Sequence, residues 1–565
     1  MDRDHTLTLP RNLVPFDPRQ VPLYHFDVVV LGSGAAGSSA ALAAAEAGAT
    51  VAVLTKGQLD ATNTNWAQGG VAVVLGDEDS IESHVADTVS VGKGLSEHDV
   101  VETVVRGGPA AIQQLLELGT QFDRDGSGNI ELSREGGHTH PRVIHCHGDA
   151  TGYEIQRTVS HAISNHPSIT TFPDTFAVDL LRNEDDAARG VLCLTAHGDR
   201  VAFHAPEVIL STGGGGQLYR ETTNPSIATA DGLAMALRAG AALRDLEFVQ
   251  FHPTCLYIAG AARVLISEIV RGAGGILRDR HGERFMPAHH EAAELAPRDV
   301  VSRAVFERMI ATDDTNVYLD LSEVDRDPHQ AFPGISRICR FFGIDIARDP
   351  IPVRPGAHYL IGGIQVDLDG RSTIPGLWAV GECASTGLHG ANRMGSNSLL
   401  EGLVLGQRCG QLAGESARSG GTRRSAPRRI VLPDPLEPPK GMQVSIDDLT
   451  YSLKSLMWRD MGVERRGEKL ADARDRVDFW MRAVKSLGAD RPRSWELANM
   501  LLVARLAIEG ALQREESRGV HFRSDFPDAE ERWRAHTSFV PRVSRDLVET
   551  VERLRVPVGE PAAHA

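Results

Sequence analysis

Residues 26–56 read FDVVVLGSGAAGSSAALAAAEAGATVAVLTK. The stretch opens with a Val-rich apolar run, residues 26–31, of the kind that forms a buried parallel strand. Gly32, Gly34 and Gly37 follow at G-x-G-x-x-G spacing. The Ala-rich segment after them predicts a helix to about Ala47, stopped by Gly48, and residues 50–54 predict a second strand. The three glycines act differently. Gly32 permits the tight turn, Gly34 lets the backbone approach a pyrophosphate, and Gly37 lets helix and strand pack closely. The helix start offers free N–H groups and the positive end of its dipole to phosphate. Ser33, Ala35 and Ala36 complete this predicted dinucleotide loop, and the strand–turn–helix context separates it from a merely packing Gly-rich contact. The acid expected at the end of the second strand, on the ribose 2′-OH, is replaced by Thr55 and Lys56. That disfavours ordinary NAD. It leaves FAD, or a nucleotide with extra phosphate charge near Lys56.

The whole chain bounds the rest. Its 565 residues suggest roughly 3–4 domains. A hydrophobic share of 42% and a charged share of 24% are those of a globular protein. The net charge of −16 disfavours nucleic acid or an anionic membrane as partner, and makes a basic pocket the natural place for an anionic substrate. Cys146, Cys193, Cys255, Cys339, Cys383 and Cys409 are scattered, with no C-x-x-C pair. That indicates neither an iron–sulfur cluster nor structural zinc and fits a reducing cytoplasm. The N-terminus has early acids and prolines and no apolar signal core. No apolar run reaches the ~18 residues of a membrane span.

Along the chain, residues 1–24 form a polar lead-in. In residues 60–75 Thr62, Asn63, Thr64 and Gln68 offer hydrogen bonds, and Gly69-Gly70 allows close approach; Ala67 lies among them. The stretch reads as a surface loop or as a loop laid along a ring system. Residues 77–120 look helical. Residues 133–152 hold His138, His140, His145 and His147 beside Cys146. No helical ligand spacing is present and Pro141 excludes a helix there, so the segment reads as polar active-site strand and loop rather than a metal centre. Glu135, between an Arg and two glycines, stands out. Residues 201–210 read as strands ending in Thr212, Gly213 and Gly214, a second Gly-rich approach to something flat or charged. Asp231 is expected to cap the helix that follows. From 246 to 357 the texture changes, as for an inserted domain. Pro297 there places Arg298 at a helix N-terminus, a position poor for the dipole and so suggestive of another role. Residues 356–366 return to strand character, Gly381 and Glu382 follow at a later strand end, and a helix opens near Asn397, Ser398 and Leu399. A nucleotide-facing loop thus recurs far down the chain, the signature of one cofactor domain interrupted by an insertion. Residues 411–440 have linker composition, and the remainder shows helical periodicity with a Pro/Ala tail.

GSGAAG, WAQGGVA, TGGGG, QFHPT, ELAPRDVVSRA, GLWAVGE, LHGANRMGSNSLLEGLV and REESRGVHF together resemble the succinate dehydrogenase/fumarate reductase flavoprotein superfamily, and within it the L-aspartate oxidases. The likeness runs from about residue 25 to about 530. It implies an α/β fold: a Rossmann-like FAD-binding domain (1–245 and 358–430) interrupted by an α+β capping domain (246–357), then a C-terminal helical domain (431–565). Dehydrogenase subunits carry a His covalently bonded to FAD where this chain has Asn63, so FAD is expected to be noncovalent. The loop Arg134-Glu135-Gly136-Gly137-His138 resembles the aspartate oxidase version, and Lys56 matches that pattern too. Ser267 stands where the family often has Thr, keeping the hydroxyl.

The resemblance implies oxidation of L-aspartate to iminoaspartate by hydride transfer to flavin N5, with oxygen or fumarate as acceptor, at the start of NAD biosynthesis in the cytoplasm. Iminoaspartate is unstable in water, which would favour hand-over to quinolinate synthase. A dicarboxylate with one ammonium needs two cationic clamps and one anion. Arg298 and Arg393 suit the clamps, His252, His358 and Ser267 add donors, and Glu135 would hold the ammonium. Glu268 either meets substrate or orients a neighbouring Arg or His. Arg298 is the expected catalytic residue, at the position of the family's proton donor in fumarate reduction. The rival readings are a soluble fumarate reductase, a succinate dehydrogenase flavoprotein subunit, and a non-catalytic FAD-binding redox sensor.

Overall fold

The structure is a computed structural model and describes residues 7–258, 264–419, 425–432, 445–487 and 491–559. Its centre is a 5-stranded parallel sheet. Val28–Leu31 pairs with Val51–Leu54 on one side and Glu207–Leu210 on the other; Ile169–Phe172 and Leu377–Ala379 form the edges. Val28–Leu31, Val51–Leu54 and Glu207–Leu210 are buried along their whole length, as expected when both faces of a parallel sheet are covered. Leu377–Ala379 lies in register with Glu207–Leu210. The late segment thus completes the early sheet, and the chain between them leaves and returns.

Helix Ala35–Glu46 follows the first strand and packs along helix Asn397–Ser419. The seam is made by glycines at i, i+4 spacing. A Cβ on Gly406 would fall 2.6 Å from the Ala36 carbonyl oxygen, and one on Gly410 would fall 2.1 Å from that of Ala40. Only residues without side chains let the two backbones approach this closely. The consequence is functional: the seam brings the N-terminal ends of both helices to one cavity.

The excursion has its own sheet of 4 strands, Val249–Leu256, Ile351–Leu360, Val317–Asp320 and Ile276–Arg278, all antiparallel. Helix Arg298–Ala311 covers it through Val301 and Val305, against Leu256, Leu319 and Val353. Pro297 is the residue before this helix, so Arg298 does open it.

The C-terminal segment is helical over Ile446–Asp460, Gly467–Leu487 and Pro492–Gln513. After these, Ala535–Val543 and Leu547–Pro557 form a long hairpin. The hairpin joins Leu243–Arg244 on one side and Leu9–Pro10 on the other, so the lead-in and the last strands share one sheet. The predicted linker at 411–440 begins inside a helix, since Asn397–Ser419 runs on past 411. Of that linker, residues 420–424 and 433–440 lie outside the described residues, as does the tail from 560.

Candidate active site

The loop from Gly32 to Ala36 lines a cavity together with Thr62, Asn63, Thr64, Ala67, Thr212, Gly213, Gly381, Glu382, Ser398 and Leu399. The same cavity runs on to His358, Tyr359 and Arg393, so it joins the dinucleotide loop to a second set of polar and charged residues. Gly32 has φ 111°, and a Cβ there would meet the Ser211 carbonyl oxygen at 2.2 Å. Gly34 supplies no side-chain cap to the helix that follows, and Thr64 Oγ1 accepts from Ala35 N at 3.0 Å. Thr212 Oγ1 on the cavity wall is buried without a partner. A Gly-walled turn, a helix start and an unpaired hydroxyl are the donor set a dinucleotide needs, and the residues present fit FAD.

Some of the other predicted cofactor residues stand behind this wall, while Lys56 and Asp231 line it. Gly37 packs on the Gly32 carbonyl, Gly70 on Val143 and Ile144, and Gly214 on Glu382. Gln68 Oε1 is buried and unpaired. Asn397 turns its amide to His84 Nε2 (2.9 Å) and Thr88 Oγ1 (3.0 Å) rather than to the cavity. Asp231 does not cap its helix: the N-cap is Ala230, at φ 60°, and the Asp231 carboxylate binds Lys56, Thr229 and Asn499. Lys56 is correspondingly committed, with Nζ 2.8 Å from Asp231 and 2.7 Å from Glu496. Its charge is already balanced, which removes the reading of a spare cation for an extra phosphate. Asn63 Nδ2 donates to Glu382 Oε2 at 2.8 Å, and burial pushes the Glu382 carboxyl up.

Where the excursion meets the central domain, Arg298, Arg393, His252, His358, Glu268 and Glu135 converge. Arg298 Nε donates to Glu268 Oε2 at 2.7 Å. Arg393 lies with its guanidinium 4.6 Å from the Tyr359 ring centroid. Its Nε is buried without a partner, and burial with Arg298 nearby lowers its pKa to about 10. The His252 and His358 rings stand 5.3 Å apart, T-shaped. Burial and then the neighbouring guanidinia push both pKa values well below the usual range, so both imidazoles are neutral. Thr254 N donates to His252 Nδ1 at 3.3 Å, which leaves the proton on Nε2. His358 Nδ1 is 2.9 Å from Thr223 Oγ1. Ser267 is buried immediately before helix Glu268–Gly272. Glu135 is buried, its Oε2 accepting from Ser396 Oγ at 2.7 Å and its Oε1 unpaired. Gly395 joins it to Arg298: a Cβ there would lie 3.0 Å from both Glu135 Oε2 and Arg298 Nη2.

Comparison with known proteins fits this geometry. The family described as "FAD binding domain" matches residues 27–399, and "Fumarate reductase flavoprotein C-term" matches 450–557. An L-aspartate oxidase of Streptomyces coelicolor is 41% identical, covering 95% of this chain and 95% of the relative. One from Pseudomonas aeruginosa is 42% identical over 89% of this chain and 96% of its own length. The chain belongs to the L-aspartate oxidase family. A quinol fumarate reductase structure from E. coli superposes with a TM-score of 0.87 at 31% identity, covering 96% of this chain and 98% of that one. As a member of this family the chain is an FAD-dependent oxidoreductase, and its fold is that of the wider flavoprotein superfamily.

Two residues of this L-aspartate oxidase family member escape a motif-by-motif reading. Gln250 Oε1 accepts from Arg298 Nη1 at 3.3 Å and from Arg393 Nη1 at 3.2 Å, while its amide donates to the Arg393 carbonyl at 2.7 Å. It sets the spacing of the two guanidinia. Strand alternation is the available signal, since Gln250 and His252 share a face of Val249–Leu256. Arg271, buried, lies 3.7 Å from Glu268 Oε1. Helical i, i+3 spacing from Glu268 is the signal there. Burial alone would push the Glu268 carboxyl up, but Arg298 and Arg271 hold it below the usual range. Glu268 therefore orients arginines. Among the described residues no group of His, Cys, Asp and Glu is placed to share a metal ion, and no helix is long and apolar enough to cross a membrane.

Proposed function

We propose that this family member oxidises L-aspartate to iminoaspartate, with oxygen or fumarate as acceptor, as the first step of NAD biosynthesis in the cytoplasm. The observation that carries the reading is Glu135: a buried carboxylate with an unpaired oxygen, in a site whose other charged clamps are guanidinia. Guanidinium charge lies close by, but the buried Oε1 has no donor, and the α-ammonium of an amino acid would supply one. The names of the relatives support the same substrate. The likeness to a quinol fumarate reductase supports fumarate as an acceptor.

Each substrate carboxylate is met by a guanidinium, Arg298 or Arg393, with the neutral imidazoles of His252 and His358 adding N–H donors. Gln250 holds the two clamps at a set separation. FAD, held noncovalently by the residues that line the cavity, would supply the redox chemistry as acceptor of the substrate's hydride. Asn63, hydrogen-bonded to Glu382, offers no imidazole for a covalent bond to the flavin. Arg298 is ion-paired to Glu268 and so acts as clamp and electrostatic stabiliser rather than as a base in aspartate oxidation. The unstable product favours direct hand-over to quinolinate synthase.

Anaerobic addition of L-aspartate, with succinate in parallel, tests the reading through the flavin absorbance. Bleaching by aspartate and not succinate is the expected result. Bleaching by succinate alone would move the chain to the dehydrogenase branch, and bleaching by neither would revive the redox-sensor reading.

A further inference from the structure

Helix Pro492–Gln513 belongs to the C-terminal helices, yet it lays Trp495, Glu496 and Asn499 against the wall of the FAD cavity. Trp495 is buried and packs on Phe176 at 5.8 Å between ring centroids, and Phe176 lines the cavity. Glu496 Oε1 lies 2.7 Å from Lys56 Nζ. Asn499 Nδ2 donates to Asp231 Oδ1 at 2.7 Å, and Asn499 Oδ1 accepts from Arg238 Nη1 at 2.6 Å. Lys56 and Asp231 both line the cavity and pair at 2.8 Å, with Thr229 Oγ1 accepting from Lys56 and donating to Asp231.

Lys56 follows the second strand of the βαβ unit, where a dinucleotide fold holds the ribose. Asp231, Thr229 and Glu496 take the N–H donors of its ammonium, so a long side chain that would otherwise lose rotamer entropy on ordering is already fixed. Without Glu496 a donor is freed and the lysine regains motion in the cavity wall. Without Asn499 the Asp231 carboxylate loses the amide that sets its orientation. The helix that supplies both residues lies outside the segment matched as an FAD-binding domain, residues 27–399.

We propose that helix Pro492–Gln513 is a cofactor-retaining element, in which Glu496 and Asn499 are positioning residues that act through Lys56 and Asp231 to set how tightly FAD is held. The proposal rests on the noncovalent reading above. The C-terminal helices thereby help to close the ribose end of the site, and losing their contacts releases flavin before it unfolds the protein.

The test uses full-length holoenzyme, diluted, with the fluorescence of released flavin as readout. Glu496 is 26% exposed, so Glu496→Gln is compatible with folding. It is expected to raise the FAD dissociation constant about tenfold, as for loss of one charge-assisted contact. The melting temperature of the FAD-free protein should stay unchanged, and on a Lys56→Met background the same change should have no further effect. Asn499→Ser is the second variant, with the same expected direction. An unchanged dissociation constant, a rise matched by a fall in the melting temperature of the FAD-free protein, or effects of Lys56→Met and Glu496→Gln that simply add would each overturn the proposal. Flavin that stays with the protein through acid precipitation would overturn this and the noncovalent reading together, whereas releasable flavin with an unchanged constant overturns this one alone.

Discussion

Arg298 Nε donates to Glu268 Oε2 at 2.7 Å, and the carboxylate is buried with Arg271 3.7 Å from its other oxygen. This pair fixes the direction in which Arg298 presents its remaining donors to the site. Glu268→Gln keeps the shape and removes the counter-charge. We expect kcat/KM for aspartate to fall about 10–100-fold, from loss of an interaction worth roughly 1.5–3 kcal/mol. FAD content per protein, read by absorbance, should hold. An unaltered kcat/KM would mean that Arg298 is oriented without Glu268.

In the proposed function Glu135 is the residue that separates an amino-acid substrate from a plain dicarboxylate. Glu135→Gln is nearly isosteric and leaves no anion for an ammonium. Aspartate turnover is expected to drop by at least about tenfold, while fumarate reduction, whose substrate has no ammonium, persists. Paired assays on one preparation decide the matter, and equal losses in both would remove the ammonium-binding role.

Arg393 has a buried Nε with no protein partner, its guanidinium resting over Tyr359. Arg393→Leu should raise the dissociation constant of succinate by at least about tenfold, for loss of roughly 1.5–3 kcal/mol. Titration of the flavin spectrum with succinate measures it. An unchanged constant would take Arg393 out of the substrate site.

His536 offers a pH test away from the chemistry. Its Nδ1 is 2.6 Å from Asp245 Oδ2 and its Nε2 is 3.1 Å from Glu97 Oε1. Burial opposes the imidazolium, but Asp245 outweighs it and the pKa is raised above 6.5. A raised folded-state pKa means stability that is fully present below the unfolded value, about 6.5, and lost as pH rises through the folded one. Burial works against the Asp245 carboxylate as well, yet His536 holds its pKa below 3.8. That contribution is present above the unfolded value and lost as pH falls through the lowered one. Melting temperatures of wild type and His536→Gln should therefore differ most between about pH 4 and 6.5 and converge in alkali. A gap that widens with alkalinity would contradict the charged pair.

Much of the cofactor site is legible in the sequence because its signals are local. Gly32 has the left-handed φ that its place in G-x-G-x-x-G demands, and Pro297 sets the start of the helix that Arg298 opens. Other signals are present but need a longer window. The Gly402, Gly406, Gly410 and Gly414 series sets a close helix seam. Gln250 lies in the same strand motif as His252 but shows its role only when Arg298 and Arg393 arrive from other parts of the chain.

Lys56 and Asp231 mark the boundary most clearly. In sequence each is a separate local feature, a basic residue at a strand end and a helix cap. In the fold they pair with each other across 175 positions, and Glu496 and Asn499 join them from the C-terminal helices. The order of residues alone specifies the βαβ unit, its phosphate-facing glycines, the interrupted layout of the cofactor domain and the candidate clamps. Turn conformation, strand burial and helix starts depend on neighbours a few bonds away, so they are written in short motifs. Which charges are spare and which are already balanced is a property of the assembled fold. It leaves Glu135 Oε1 open, commits Lys56 and Glu268, and turns Asn397 away. The energy of a buried charge is set by whatever lies within a few ångströms of it, and those partners come from distant parts of the chain.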